Sequence, residues 1–241
     1  MQAISINNLT KYYGDVVAVD NLSLNIEQGE LFSLLGVNGA GKTTTIKMLS
    51  CLTKADSGDA EILGKSISKS ASEVKQYIGV SPQETAIAQG LSVKENLELI
   101  CGIYGFTKAK TAQKVSTLIQ LLSLESVLNK KASKLSGGYA RRLSIAMALI
   151  SEPKVLFLDE PTLGLDVIAR SELWDIIRSL KGKVTIILTT HYMEEAEELS
   201  DRIAIMKNGK LLICDTPDNI KSQCGEESIE KSFIKIVRGT K

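Results

Sequence analysis

Residues 36–43 read Gly-Val-Asn-Gly-Ala-Gly-Lys-Thr, which fits the spacing G-x-x-x-x-G-K-[ST]. Glycines so placed let the backbone curl until successive N–H groups point inward, the arrangement that receives phosphate oxygens. A helix beginning at the end of such a loop adds its positive N-terminal end. Gly36, Asn38, Gly39, Ala40, Gly41, Lys42, Thr43 and Thr44 are therefore candidate phosphate-binding residues. Lys42 is expected to reach the β- and γ-phosphates of a nucleotide, and the Thr43 hydroxyl to ligate Mg²⁺. The context fits: the mostly apolar run Leu31–Leu35 precedes the loop, and a proline-free stretch with Ile46 and Leu49 at helical spacing follows it.

Phosphoryl transfer also needs acid groups on a neighbouring strand. Val155-Leu156-Phe157-Leu158-Asp159-Glu160 is an apolar run that ends in two carboxylates. A carboxylate ending a buried strand is costly unless a cation offsets it. Asp159 is the candidate for holding Mg²⁺ through water, and Glu160 for polarising the attacking water as general base. A second glycine-bearing helix start appears at Leu135-Ser136-Gly137-Gly138-Tyr139, followed by the helix-forming stretch Ala140–Leu149. Ser136 there is an N-cap residue, and the start is a second anion-binding terminus.

The elements that must carry these residues alternate. Leu22, Leu24 and Ile26 alternate with Ser23 and Asn25, the period of a half-buried strand. Leu31–Leu35 has the composition of a strand buried on both faces; Val155–Leu158 is a continuous apolar run, and Val184–Leu188 is β-branched and apolar. Ile203–Met206 and Leu211–Cys214 flank Asn208-Gly209, a hairpin signal. Between them, residues 91–150 have a helical character. Ser92-Val93-Lys94-Glu95 has the form of a capping box, and Val115, Leu118, Ile119 and Leu122 repeat at three and four. The expected fold is α/β, with a parallel sheet, an N-terminal antiparallel β region and an inserted helical subdomain.

These motifs, in this order, make the chain closely similar to the ABC (ATP-binding cassette) ATPases, a P-loop NTPase family, over nearly its whole length. Leu135–Gly138 matches the family's L-S-G-G-Q signature, with Tyr139 in place of the glutamine. The resemblance implies further roles. Tyr13 resembles the aromatic that stacks on adenine, with Tyr12 next in line, and Gln83 resembles the glutamine that senses Mg²⁺ and the attacking water. Pro161–Asp166 resembles the loop through which Asp166 contacts an opposite subunit. His191 is the chain's one histidine, and it resembles the switch residue that touches the γ-phosphate. By the same resemblance, Ser136, Gly137 and Gly138 of one chain close on ATP held by another. The implied cofactors are ATP and Mg²⁺. The implied organisation is a single ABC domain over 1–241, with a catalytic core of 1–83 and 151–225, a helical insert of 84–150, and a short helix or tail over 226–241.

Composition narrows the partner. The 241 residues carry a net charge of +1 and no long basic run, which argues against a nucleic-acid partner. The four cysteines, Cys51, Cys101, Cys214 and Cys224, have neither zinc nor disulfide-framework spacing and read as free thiols. The start has no signal-peptide pattern, and no apolar run reaches the ~20 residues needed to span a bilayer. The expected partners are an integral membrane transporter subunit and a second ATP-binding subunit, either a second copy or a related chain. The expected location is the cytoplasmic face of the cell membrane, held there by the membrane partner. The segments 161–166 and 189–202 resemble the bacterial branch that exports drugs, sodium or lipids. An importer subunit or a soluble non-transport ABC ATPase is the alternative. Arg141 and Arg142 are read as a solvated helix face, and the glutamates of 194–198 as the exposed side of an acidic amphipathic helix.

Overall fold

The computed structural model describes residues 1–239. In chain order its elements are β1 (Gln2–Tyr13), β2 (Val16–Glu27), β3 (Leu31–Leu35), α1 (Lys42–Leu49), β4 (Ser57–Ile62), β5 (Lys65–Ser66), α2 (Ala71–Tyr77), β6 (Ile78–Ser81), α3 (Val93–Ile103), α4 (Lys108–Leu121), α5 (Gly137–Leu149), β7 (Val155–Asp159), α6 (Val167–Leu180), β8 (Thr185–Thr190), α7 (Met193–Leu199), β9 (Arg202–Lys207), β10 (Lys210–Asp215), α8 (Pro217–Cys224) and α9 (Ile229–Gly239). They form two sheets, a four-stranded one in the order β2-β1-β4-β5 and a six-stranded one in the order β10-β9-β3-β8-β7-β6. The first is antiparallel throughout. In the second, β9, β3, β8, β7 and β6 run parallel, and β10 adds an antiparallel edge.

The continuous apolar runs are explained by burial on both faces. Every residue of β3, β7 and β8 is buried. Side chains on a strand alternate between faces, and here each set finds a different core. Leu31, Leu156, Leu158, Ile186 and Leu188 pack with Leu97, Leu118, Leu143 and Ile177 from the helices of one side. Phe32, Leu34, Val155, Phe157 and Ile187 pack with Ile46, Met48 and the inner face of the antiparallel sheet. The helical block therefore shares one continuous core with a face of the parallel sheet.

Local signals are realised where the sequence places them. Ser92 and Glu95 form a reciprocal capping box at α3. Val115, Leu118, Ile119 and Leu122 are buried. Asn208 and Gly209 turn the β9–β10 hairpin with positive φ at both positions, as a two-residue turn requires. The C-terminal segment is a helix, with Ile229 and Phe233 buried against β9 residues. Thr240 and Lys241 lie outside the described residues. Among the described residues no helix is long and apolar enough to cross a membrane.

Candidate active site

Parallel strands place their carboxyl ends together, and the crevice there is where open α/β sheets bind ligands. Four adjacent strands end at that edge of the sheet. β3 runs into Gly36, β8 into His191, β7 into Glu160, and β6 into Pro82-Gln83. These positions are far apart in sequence and meet only because the strands are neighbours.

The glycines of the loop are required by contact as well as by conformation. A Cβ on Gly36 would stand 2.6 Å from the Met206 carbonyl oxygen and 2.8 Å from the Ala40 Cβ. Gly41 has φ +103°, and a Cβ there would stand 2.4 Å from the Ala18 carbonyl oxygen. Lys42 begins α1 and is 5% exposed. Its Nζ donates to the carbonyls of Gly36 at 2.7 Å and Val37 at 3.3 Å, and it pairs with Glu160 Oε1 at 3.2 Å. The Thr43 hydroxyl donates to Asp159 Oδ1 at 3.1 Å, and the Thr189 hydroxyl bonds the same oxygen. A hydroxyl and a carboxylate so paired are the hard oxygen donors that a P-loop Mg²⁺ takes, so the residues present fit that ion.

Glu160 is 5% exposed and has cationic or polar partners on both oxygens. Lys42 lies on one side, and His191 Nδ1 on the other, 2.7 Å from Oε2. Its backbone N–H donates to both the carbonyl and the hydroxyl of Thr189. These residues border a cleft of about 520 Å³ lined by Val16, Val17, Ala18, Asn38 to Thr44, Gln83, Glu160, Leu163 and His191.

The structure thus brings together Asn38, Gly39, Ala40, Gly41, Lys42, Thr43, Thr44, Gln83, Glu160 and His191, with Gly36 and Asp159 directly beneath them. Other expected residues stand apart from the cleft. Tyr13 and Tyr12 are about half exposed, and neither lines it. Tyr13 is paired across the β1–β2 turn with Val16, which does line it, and the Lys11 ammonium lies 5.5 Å from the Tyr13 ring. Ser136, Gly137, Gly138 and Asp166 are also absent from the lining. Ser136 precedes α5 with no side-chain cap bond, and Asp166 instead caps α6 by accepting from the Ala169 N–H at 2.9 Å.

Two expectations are corrected. Arg141 and Arg142 are not a solvated face; they are 5% and 7% exposed. Arg141 donates to the carbonyls of Pro82 at 2.6 Å and Gln83 at 2.7 Å, tying the helix after Ser136 to the Gln83 loop. Burial pulls the Arg141 pKa below the usual arginine value, against the opposing influence of Asp159 and Glu195. Arg142 pairs with Glu172 and stacks on Tyr139, whose hydroxyl lies 3.2 Å from the Ser126 hydroxyl. The second correction is Glu195. Glu194 and Glu198 are exposed as expected, but Glu195 is fully buried. Val16, Val17, Ala18 and Leu163 had no chemical signal in the sequence. The burial of Arg141 had a weak one, since it shares a helical face with Ser144 and Ala148, which pack on β6.

The family model described as ABC transporter matches residues 19–163. This chain belongs to the ABC transporter family of ATP-binding domains. That family hydrolyses ATP to power transport. The chain is 38% identical over 240 residues to the probable multidrug ABC transporter ATP-binding protein YbhF of Escherichia coli (strain K12), covering 97% of this chain and 41% of that protein. It is 42% identical over 233 residues to the Nod factor export ATP-binding protein I of Rhizobium etli, covering 95% of this chain and 73% of that protein. It therefore spans less than half the length of YbhF. A solved structure described as the ATP binding subunit of an ABC transporter superposes with a TM-score of 0.86 at 27% identity, covering 98% of this chain and 99% of that one.

Proposed function

We propose that this chain is the ATP-hydrolysing motor of an ABC exporter, working as one half of a nucleotide-sandwich dimer beside a separate integral membrane subunit. The observation that carries this reading is the Lys42–Glu160–His191 cluster at the mouth of a glycine loop that would hold phosphate. Gly36 to Thr44 bind the phosphates through backbone N–H groups, with Lys42 as the point charge. Thr43 and Asp159 would hold Mg²⁺, with Gln83 as a further candidate ligand. When bound, the ion neutralises charge on the phosphate oxygens.

A phosphate in the loop competes for the Lys42 ammonium. Glu160 is then left with His191 and is free to accept a proton from water. The cleft opposite Lys42 carries no donors from Ser136, Gly137 or Gly138, and in this reading a second subunit supplies them together with its Asp166. Tyr13 covers the base from beside Val16. Residues 84–150 form the helical insert and 1–83 with 151–225 the core. The membrane partner holds the chain at the cytoplasmic face of the cell membrane. Two relatives whose names include multidrug transport and Nod factor export support the outward direction.

The test is ATP turnover and size-exclusion chromatography of purified protein. Lys42→Ala is expected to abolish ATP binding. Glu160→Gln is expected to bind ATP without splitting it and to elute as an ATP-dependent dimer. Monomeric elution of Glu160→Gln at saturating ATP would overturn the sandwich. Unchanged turnover in Lys42→Ala would overturn the whole reading.

A further inference from the structure

Glu195 takes no part in the chemistry above, yet it is an acid with 0% exposure. It lies on α7, four residues after His191. Its Oε1 accepts from the Trp174 indole N–H at 3.0 Å. Its Oε2 is buried without a hydrogen bond, and so is Thr162 Oγ1. The hydroxyls of Thr162 and Thr190 lie close enough to act on the carboxyl as hydrogen-bonding neighbours, yet Oε2 and Thr162 Oγ1 do not meet in a bond of good geometry. Buried polar atoms are almost always paired. Two unpaired ones side by side mark a bond that a small shift of the same parts completes.

The parts are the moving pieces of the proposed reaction. Thr162 sits in the loop that leads from Glu160 to Asp166, and Thr190 ends β8 directly before His191. Trp174 lies on α6, whose N-cap is Asp166. One turn earlier on the same helix, the Arg170 guanidinium lies 4.8 Å from the Tyr192 ring, and that ring lies 4.1 Å from His191. α6 therefore grips the histidine segment at two successive turns. Burial raises the Glu195 pKa, aided by the nearby Glu160 charge, which favours a neutral carboxyl able to share a proton with a hydroxyl.

We propose that Glu195 is a positioning residue. Anchored by Trp174, it bonds through Oε2 to the Thr162 hydroxyl when nucleotide draws in the 161–166 loop, and this bond fixes His191 against Glu160. The inference rests on the ATPase reading above.

Trp174 is the chain's one tryptophan, so its emission reports on this junction. The experiment follows intrinsic fluorescence and steady-state turnover of the purified chain during titration with ATP and Mg²⁺. In the unaltered protein, ATP is expected to shift the Trp174 emission. Thr162→Val keeps the shape of the side chain and removes the hydroxyl. It is expected to abolish the shift and to lower kcat roughly 10- to 100-fold, with KM changed less than about twofold. Glu195→Leu is expected to do the same. Glu195→Gln keeps an acceptor for Trp174 and a polar group for Thr162, so it is expected to retain the shift and most of kcat. Loss of thermal stability with normal kcat in both Thr162→Val and Glu195→Leu would overturn the inference, since a merely structural residue behaves that way. An unaltered protein that splits ATP while Thr162→Val matches it in rate and emission overturns the inference alone. An unaltered protein that neither binds nor splits ATP overturns the ATPase reading first, and this one with it.

Discussion

Glu160 adopts φ +48°, a left-handed backbone that a non-glycine residue rarely takes. The conformation follows directly after the last residue of β7, and it turns the carboxylate sideways to sit between Lys42 and His191. Such strain persists where surrounding bonds over-determine it, and the two bonds from its N–H to Thr189 do that here. Glu195 is the contrasting acid, buried beside Trp174, Thr162 and Thr190; burial raises its pKa, with the Glu160 charge adding to the rise, and Arg141 is the nearby cation. Above its ordinary value of 4.5, the unfolded chain releases this proton while the folded chain keeps it. The folded state then binds more protons, so the Glu195 contribution to stability falls as pH rises from there toward the raised folded pKa. Glu195→Gln has no proton to lose. Denaturant unfolding between about pH 5 and about pH 8 is expected to show the unaltered protein losing stability relative to Glu195→Gln as pH rises. A pH-independent difference would mean that Glu195 titrates alike in both states. The sequence marked Glu160 as a candidate through its place after an apolar run. It did not show that one glutamate among the four of α7 turns inward, because helical spacing cannot say which neighbour a helix meets.

At the scale of elements, most of the fold was legible because local rules and burial agree. The run Leu31–Leu35 announced a strand covered on both faces, and the structure covers both. The hairpin at Asn208-Gly209 and the capping box at Ser92 were legible for the same reason: turn and cap chemistry is read from a few adjacent residues. What could not be read is contact between elements distant in sequence. Arg141 looked like surface because charged side chains usually are, and only the β6–α5 pairing shows that its guanidinium satisfies two carbonyls of the Gln83 loop. That pair of bonds welds α5, which begins just after Ser136, to the loop carrying Gln83. Arg141→Met keeps the apolar stem and leaves both carbonyls without their donor. It is expected to cost about 2–3 kcal/mol of stability, a typical value for hydrogen bonds from a charged donor less the relief of its burial. Equilibrium unfolding in urea measures it, and a change below about 0.5 kcal/mol would mean that water replaces the guanidinium without loss.

At the scale of the whole molecule, the two anion-binding helix starts do not serve one cleft within one chain. The α1 start lines the cleft, whereas the α5 start does not. Gly137 and Gly138 instead back onto Leu165 and Ala169, so the Ser136 end of α5 is braced from behind by the 161–166 loop and the start of α6. Ser136 itself is exposed and its side chain caps nothing. In the proposed sandwich, two copies related by a two-fold axis would exchange these ends reciprocally, each chain lending its α5 start to the other's cleft. This makes a prediction that separates a shared site from two independent ones. Lys42→Ala spoils the cleft of its own chain, and Ser136→Arg spoils the cleft of the partner while disturbing no bond in its own fold. Each variant alone is expected to be inactive as a dimer. Mixed in equal amounts, half of the pairs contain one of each, and one of the two clefts in every such pair is complete. ATP turnover of the mixture is expected to recover to roughly a quarter of the unaltered rate if the clefts act independently. Should Ser136→Arg alone turn over ATP at the unaltered rate, each chain would be acting from its own cleft, and the exposed serine would need another purpose.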